Sequence, residues 1–271
     1  MSVAPSRCTL THVGAATVLI DVGGLRILTD PTFDPAGSTY KVGPLGLAQQ
    51  TRVQAPALPA EAMQPVDVVL LTHDAHADNL DTEGRTLLST VQRVITTPQA
   101  AERLGDELGS RVVGLRSWQS LQLLAPSGRT VTVTAVPARH GPPLAERLTG
   151  TVTGFVLEWP DQPDGALYVS GDTRLYEGLR AVAERFRVGV ALLHLGAARL
   201  GLAGALRSTM TAAEAVEATR VLEAHTIIPV HYEGWSHFEE GRADVEHAFT
   251  EAGLHHHLCW LTPGVSTHLV Q

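Results

Sequence analysis

The densest group of side chains able to bind a metal lies in residues 72–81, which read T-H-D-A-H-A-D-N-L-D. Two imidazoles and three carboxylates follow the apolar run V-V-L-L at 68–71 within a few positions. Imidazole nitrogen and carboxylate oxygen together suit zinc, manganese or iron, and a cluster without cysteine speaks against a closed structural zinc site. This segment therefore favours metal-dependent catalysis over a structural metal.

Further aspartates and histidines follow other apolar runs at the points where strands are predicted to end. Asp30 follows R-I-L-T, His140 follows T-V-T-A-V-P-A-R, Asp172 follows L-Y-V-S-G, and His231 follows I-I-P-V. Taken singly, each is a capping aspartate or a surface histidine. A rigid sheet fixes positions while the loops at its edge supply functional side chains, so several such strand ends together predict one convergent site.

Four segments, in chain order, resemble the motifs of the metallo-β-lactamase superfamily: T-H-D-A-H-A-D-N-L-D, A-R-H-G, S-G-D-T and P-V-H-Y. The stretches T-H-V-G-A-A-T-V-L-I-D at 11–21 and L-T-D-P at 28–31 resemble the branch that contains L-ascorbate-6-phosphate lactonase and N-acyl-phosphatidylethanolamine phospholipase D. The resemblance covers nearly the whole chain. It implies one domain over residues 1–271, of the α/β (α+β) class, built as a four-layer αββα sandwich of two mixed β-sheets flanked by helices.

The family motif H-x-H-x-D-H does not match this chain residue for residue. If Asp78 is the motif aspartate, Asp74 stands at the first histidine and Asn79 at the last. In the other register His73 keeps the first role and the loop carries one extra residue. We favour this register, because the family uses an imidazole directly after the strand end. The resemblance then implies one metal on His73, His76 and His140, a second on Asp78 and His231, and Asp172 as the bridge.

The resemblance also implies a hydrolase that uses a hydroxide shared by two divalent metal ions roughly 3.5–4 Å apart. Its substrate would be a small-molecule phosphodiester, lactone or other ester. Asp78, Asp172 and His237 are the predicted catalytic residues; His237 lies in a loop able to reach over the metals. Zinc is the first choice of metal. Manganese and iron are alternatives, because Asn79 leaves the second ligand set mostly oxygen.

Two other functions remain open from the sequence. One is a di-iron oxidoreductase on the same scaffold, and the other is a non-catalytic metal-binding or regulatory protein. Asp30 is predicted to fix a ligand imidazole through its second ring nitrogen. His12 and His194 are either site residues or hydrogen-bonded strand histidines, and the triplet at 255–257 is predicted to be surface. Three arginines beside the motif segments are candidates for gripping a phosphate or carboxylate, with plain exposure as the alternative: Arg139, Arg174 and Arg199.

The elements that must position these residues follow from periodicity. Two β-rich runs within 16–29, joined by Gly23-Gly24, predict a hairpin. Residues 33–65 carry five prolines and no sustained period, which predicts a long loop forming a wall or lid. Further strands are predicted at 66–72, 93–97, 111–115, 120–124, 130–136, 151–159, 166–170, 188–195, 226–230 and 257–261, and helices at 80–91, 98–109, 175–186, 211–224 and 244–252.

Composition narrows the class of protein further. With 271 residues, 44% of them hydrophobic and 18% charged, the chain is expected to fold around a large core. A net charge of −8 argues against nucleic-acid binding by bulk electrostatics. No apolar run approaches the roughly 18 residues of a membrane span. Two cysteines and the absence of a signal-peptide pattern predict a cytoplasmic protein, with the oligomeric state, a homo-oligomer included, left open.

Overall fold

The computed structural model describes residues 8–42, 48–141, 150–162, 164–200 and 206–269. The helices are α1 (Thr82–Leu88), α2 (Pro98–Leu108), α3 (Glu177–Ala183), α4 (Ala212–Leu222) and α5 (Arg242–Glu251). The strands are β1 (Cys8–Gly14), β2 (Thr17–Val22), β3 (Leu25–Thr29), β4 (Thr39–Val42), β5 (Ala48–Thr51), β6 (Val68–Leu70), β7 (Arg93–Thr96), β8 (Val112–Gly114), β9 (Ser120–Leu124), β10 (Thr130–Pro137), β11 (Thr153–Glu158), β12 (Ala166–Val169), β13 (Val188–His194), β14 (Arg199–Leu200), β15 (Leu206–Arg207), β16 (Thr226–Val230) and β17 (Thr267–His268).

Two mixed sheets form the centre of the fold. The first has seven strands in the order β17-β1-β2-β3-β6-β7-β8, and the second has six in the order β16-β13-β12-β11-β10-β9. Both change from antiparallel to parallel pairing part-way across. In the first sheet β3, β6, β7 and β8 run parallel, and in the second β12, β13 and β16 do. Side chains placed after parallel neighbours therefore meet at one edge of each sheet.

The main core lies between the two sheets, where alternate residues of both contribute. Ile20 and Ile27 of the first sheet belong to the same buried cluster as Phe155 and Leu192 of the second. The outer face of the first sheet packs against α1 and α2, and that of the second against α3, α4 and α5. The predicted four-layer αββα sandwich of two mixed sheets is confirmed.

Local sequence explains why the helices begin where they do. Thr97 caps α2 by accepting a hydrogen bond from the backbone N–H of Ala100, and Pro98 occupies the first helical position. Buried residues Ala100, Leu104 and Leu108 recur every four positions, so one stripe of α2 faces the sheet. In the described residues no helix is both long and apolar enough to cross a lipid bilayer.

Most predicted elements agree with the structure, but several do not, and the short strands β14, β15 and β17 have no predicted counterpart. The hairpin at Gly23-Gly24 is confirmed as β2 and β3. The predicted loop at 33–65 instead contains the antiparallel pair β4 and β5 and a short 3-10 helix at Ala60–Met63. The strand predicted at 257–261 is wrong: the structure has a 3-10 helix at His255–His257 and only an isolated bridge between Leu258 and Ile227. The first strand, β1, was not predicted.

Gly84 of α1 lies close to the backbone of the loop that follows β3, and a substitution there can test this packing. A Cβ added at Gly84 would lie 1.9 Å from the carbonyl oxygen of Pro31. We expect Gly84→Ala to lower the free energy of unfolding by about 1–3 kcal/mol, as overpacking does. Gly105 in α2 has no atom within 4 Å of such a Cβ. Gly105→Ala should raise the free energy of unfolding by about 0.5–1 kcal/mol.

The measurement is urea denaturation followed by circular dichroism on both variants. Equal shifts for the two variants would contradict the close approach of α1 to residue 31.

Candidate metal centre

Six of the sequence-predicted side chains converge at the edge where the parallel strands end. Their candidate donor atoms form two sets of three, and within each set all the atoms lie within 4.8 Å of one another. The first set is His73, His76 and His140. The second is Asp78, Asp172 and His231. The segments after β6, β10, β12 and β16 supply them.

The first set consists of ring nitrogens that face one another. The Nε2 atoms of His73 and His140 each lie 3.0 Å from Nδ1 of His76. One ring nitrogen has a single lone pair or a single proton, so Nδ1 of His76 cannot satisfy both neighbours by hydrogen bonding. A cation between the three nitrogens would satisfy all of them. The donor set therefore fits a metal.

The second ring nitrogens orient this set. Nδ1 of His140 lies 3.2 Å from the carbonyl oxygen of Asp172, which only accepts, so Nδ1 carries the proton and Nε2 keeps its lone pair. Nδ1 of His73 lies 3.3 Å from Oγ1 of Thr72. Burial lowers the pKa of His73 well below its usual value and that of His140 to about 3. These imidazoles are neutral, as metal ligands must be.

The second set is rich in oxygen. Nε2 of His231 lies 3.2 Å from Oδ2 of Asp78 and 3.5 Å from Oδ1 of Asp172. Nδ1 of His231 faces the carbonyl oxygen of Leu195 at 3.3 Å, so Nε2 again points into the cluster. Burial opposes a charge on His231, but the carboxylates of Asp172 and Asp78 outweigh it and raise the pKa of His231 to about 9. The two buried carboxylates therefore need a nearby positive charge to stabilise them.

One atom of this set has no partner among the described residues. Oδ1 of Asp78 is buried there without a hydrogen bond, although an unpaired buried carboxylate oxygen is costly. A divalent cation would take that oxygen, which is the observation that most directly supports a metal at the second set.

His237 and Asn79 complete the surroundings of the two carboxylates. Nε2 of His237 lies 2.9 Å from Oδ2 of Asp78, and its Nδ1 is buried with no hydrogen-bond partner in the described part of the chain. Asn79 donates a hydrogen bond from Nδ2 to Oδ1 of Asp172 at 3.4 Å. His237 is thus brought into contact with Asp78, as a loop reaching over the centre requires.

The structure distinguishes between the two candidates for the first ligand position of the motif, His73 and Asp74. His73 lies in the first donor set, whereas the Asp74 carboxylate forms an ion pair with Arg103 of α2. Nε of Arg103 donates to Oδ2 of Asp74 at 2.9 Å. The Asp74 carboxylate therefore belongs to neither donor set and holds the loop against α2.

Asp30 has a different role from the predicted one. Its carboxylate accepts hydrogen bonds from the backbone N–H of Thr72 at 2.7 Å and from Oγ1 of the same residue. Nε2 of His194 lies 3.3 Å from its Oδ2. The prediction that Asp30 fixes a ligand imidazole directly is wrong, because Thr72 stands between Asp30 and His73. His194, held also by Ser170, is a buried hydrogen-bonded strand residue.

The remaining candidates lie outside the donor sets. Nε2 of His12 donates to the carbonyl oxygen of Ala15 at 3.1 Å, as a hydrogen-bonded strand histidine does. Arg174 and Arg199 pair with Glu214 and Glu239, whereas Arg139 has no carboxylate partner among the described residues. The histidine triplet at 255–257 lies at the surface, as predicted.

Sequence reasoning missed a buried ion pair behind the centre. A guanidinium nitrogen of Arg52 lies 3.2 Å from Oδ2 of Asp81, and both side chains are buried. Asp81 also caps α1 through the N–H of Gly84. Arg52 forms a backbone bridge with Trp235, in the loop that carries His237. The pair thereby ties three segments together, and no local signal in the proline-rich stretch around Arg52 indicates it.

The fold and the convergent histidines and aspartates are those of a metal-dependent hydrolase. The profile of the Beta-lactamase superfamily domain matches residues 25–232, and the chain belongs to that superfamily. A relative from Thermofilum pendens, described as a UPF0173 metal-dependent hydrolase, is 31% identical over 181 residues, which cover 67% of this chain and 68% of the relative.

Two solved structures share the fold. A possible metal-dependent hydrolase from Veillonella parvula superposes with a TM-score of 0.78 at 20% identity, over 98% of this chain and 100% of the other. An isothiocyanate hydrolase from Delia radicum gut bacteria superposes with a TM-score of 0.77 at 21% identity, over 96% and 98% of the two chains. At these identities the likeness concerns the fold alone.

The buried ion pair makes a prediction about stability. Arg52→Met leaves the Asp81 carboxylate buried without its partner, which should lower the free energy of unfolding by about 3–5 kcal/mol. The control is Arg180→Met, which removes an exposed pair with Glu177 whose side chains are 61% and 83% exposed. That change should cost less than about 1 kcal/mol. Chemical denaturation measures both, and a cost for Arg52→Met no larger than the control would refute the role of the pair.

Proposed function

We propose that this metal-dependent hydrolase is binuclear and cleaves a phosphodiester, lactone or other ester of a small molecule. His73, His76 and His140 would hold the first ion, Asp78 and His231 would hold the second, and Asp172 would be shared between them. The observation that carries the proposal is the pair of adjacent donor sets, linked where His140 faces the backbone carbonyl of Asp172. Zinc suits the all-nitrogen set, and manganese or iron also suits the oxygen-rich set.

Bound there, divalent ions supply a hydroxide nucleophile at neutral pH and polarise the ester group. The side chains of this protein then transfer the proton. His237, whose Nε2 lies 2.9 Å from Oδ2 of Asp78, would form with that carboxylate the pair that takes a proton from water and returns it to the leaving oxygen. The hydroxyl of water joins the acyl or phosphoryl group, and its proton ends on the released alcohol.

Hydrolysis is favoured over the two alternative functions. The relatives are named metal-dependent hydrolases, which supports neither a di-iron oxidoreductase nor a non-catalytic protein. The test combines elemental analysis of the untreated protein with turnover on a panel of chromogenic esters, phosphodiesters and lactones. An isothiocyanate joins the panel because one protein of the same fold is named an isothiocyanate hydrolase. Iron-type absorption without any turnover would overturn the proposal.

Two finer assignments belong to the same proposal. The motifs at 11–21 and 28–31 support a place near the L-ascorbate-6-phosphate lactonase and N-acyl-phosphatidylethanolamine phospholipase D branch. Cys8 and Cys259 are free thiols, the state that a reducing compartment maintains. This supports a cytoplasmic location.

The register of the metal-binding loop is tested by two neighbouring variants. His73→Ala removes a nitrogen from the first donor set, so metal content should fall by one ion per chain and activity should be lost. Asp74→Ala removes only the ion pair with Arg103, so both ions should remain. Elemental analysis of the two purified variants decides. A full metal complement in His73→Ala with a deficit in Asp74→Ala would reverse the assignment.

The bridging role is tested at Asp172. Asparagine is nearly isosteric but neutral, so Asp172→Asn should keep the fold, lose one ion and lower kcat by at least about 10²- to 10³-fold. Metal content and kcat are measured on the same sample. Asp106→Asn, an exposed position on α2, is the matched control and should change neither. Full metal content with kcat within a few-fold of wild type in Asp172→Asn would exclude a bridged pair of ions.

A further inference from the structure

A cleft of about 550 Å³ opens beside His140. Its walls come from the start of α2, the turn after β8, the end of β10 and residues 150–153. Of the described residues, Arg116 and Arg139 line it, and no aspartate or glutamate does. This described lining carries positive charge and adjoins the first donor set.

Among the described residues, neither Arg116 nor Arg139 forms an ion pair with a carboxylate. Arg174, whose N–H donates to the carbonyl oxygen of Arg139, does form one, with Glu214. The Arg139 guanidinium lies 4.4 Å from the centre of the Tyr176 ring, which restricts its orientation. A guanidinium held beside a cavity and without a carboxylate is available to a ligand.

The backbone of Arg139 is also fixed. Its N–H donates to Oγ1 of Thr173 at 2.8 Å, and its carbonyl accepts from the N–H of Arg174 at 3.0 Å. These bonds join Arg139 to the segment that carries Asp172. Because Arg139 directly precedes His140, its Cα lies only about 3.8 Å from that of a proposed ligand.

We propose that this cleft binds an anionic group of the substrate, a carboxylate or a phosphate, and thereby sets the ester at the metal centre. The inference rests on the proposed hydrolase function. Arginine binds both anions through paired N–H donors. The start of α2, which borders the cleft at Thr97 and Pro98, adds the positive end of a helix dipole. Arg116 and Arg139 are then specificity-determining residues for small anionic esters.

The experiment compares esters of equal chain length. The neutral ester is 4-nitrophenyl butyrate, and the anionic ones are mono-4-nitrophenyl succinate and 4-nitrophenyl 3-phosphonopropanoate. We expect the holoenzyme to prefer an anionic ester, and the better of the two identifies the anion. In Arg139→Met, KM for that ester should rise about tenfold to hundredfold, the range for losing a hydrogen bond to a charged group. KM for butyrate and the metal content should stay within about twofold.

Two further variants sharpen the test. Arg116→Met should raise KM for the anionic ester and not for butyrate. Arg187→Met removes an exposed guanidinium that also lacks a carboxylate partner in the described residues but lies in a different groove, so it should change neither KM. Equal increases in KM for the neutral and the anionic ester in Arg139→Met would contradict anion binding in the cleft. A preference of the wild-type protein for the butyrate ester would contradict it as well.

A binding measurement separates failure of the cleft from failure of the hydrolase proposal. Calorimetric titration of the holoenzyme with succinate and with inorganic phosphate needs no turnover. Affinity lost in Arg139→Met and kept in Arg187→Met supports the cleft even if no ester is cleaved. Affinity that is lost in Asp172→Asn but kept in Arg139→Met would place the anion on the metal centre. Absence of binding by the wild-type protein would also contradict anion binding in the cleft.

Discussion

The buried carboxylate of Asp30 is the interaction on which the rest of this centre depends. It follows β3 of the first sheet, accepts two hydrogen bonds from Thr72 after β6, and faces His194 at the end of β13 in the second sheet. One side chain thereby joins both sheets at the edge where the donor sets lie. Burial raises the pKa of Asp30 to about 7, and the hydrogen bonds from Thr72 oppose that rise.

Three residues at the same edge have positive φ angles. Asp30 and His231, neither of them glycine, have positive φ angles of 34° and 59°. Gly171, with φ of 61°, precedes Asp172, and a Cβ there would lie 2.6 Å from the carbonyl oxygen of Thr153. Such conformations persist only where surrounding contacts impose them. Here the hydrogen bonds of Asp30 and the packing of the strand ends impose them, and the side chains that follow are turned toward one another.

The candidate site could be predicted largely from sequence because its information is local. His73, His140, Asp172 and His231 each follow an apolar run, and the end of a buried strand is visible in composition alone. What could not be predicted depends on partners distant in the chain. The pair β4 and β5 is positioned by the contact of Arg52 with Asp81 and by its bridge to Trp235, none of which leaves a periodic pattern.

The predictions for Asp30 and for residues 257–261 were wrong for the same reason. The aspartate was correctly placed near the centre, but its partner, Thr72, carries no metal-binding signal. The apolar residues near 258 reach β16 only through one bridge, because the chain there is turned by a 3-10 helix instead of continuing the sheet. Local propensity identifies what a segment prefers, while its pairing is decided by tertiary contacts.

The two donor sets differ in charge, and this difference has a consequence for how they work together. Three neutral imidazoles form one set, and two carboxylates with an imidazole form the other. They are joined through Asp172, whose side chain faces His231 and whose carbonyl oxygen orients His140. A displacement of residue 172 therefore moves donor atoms of both sets. For this reason the two sets form one structural unit, in which a change at residue 172 alters the geometry of both.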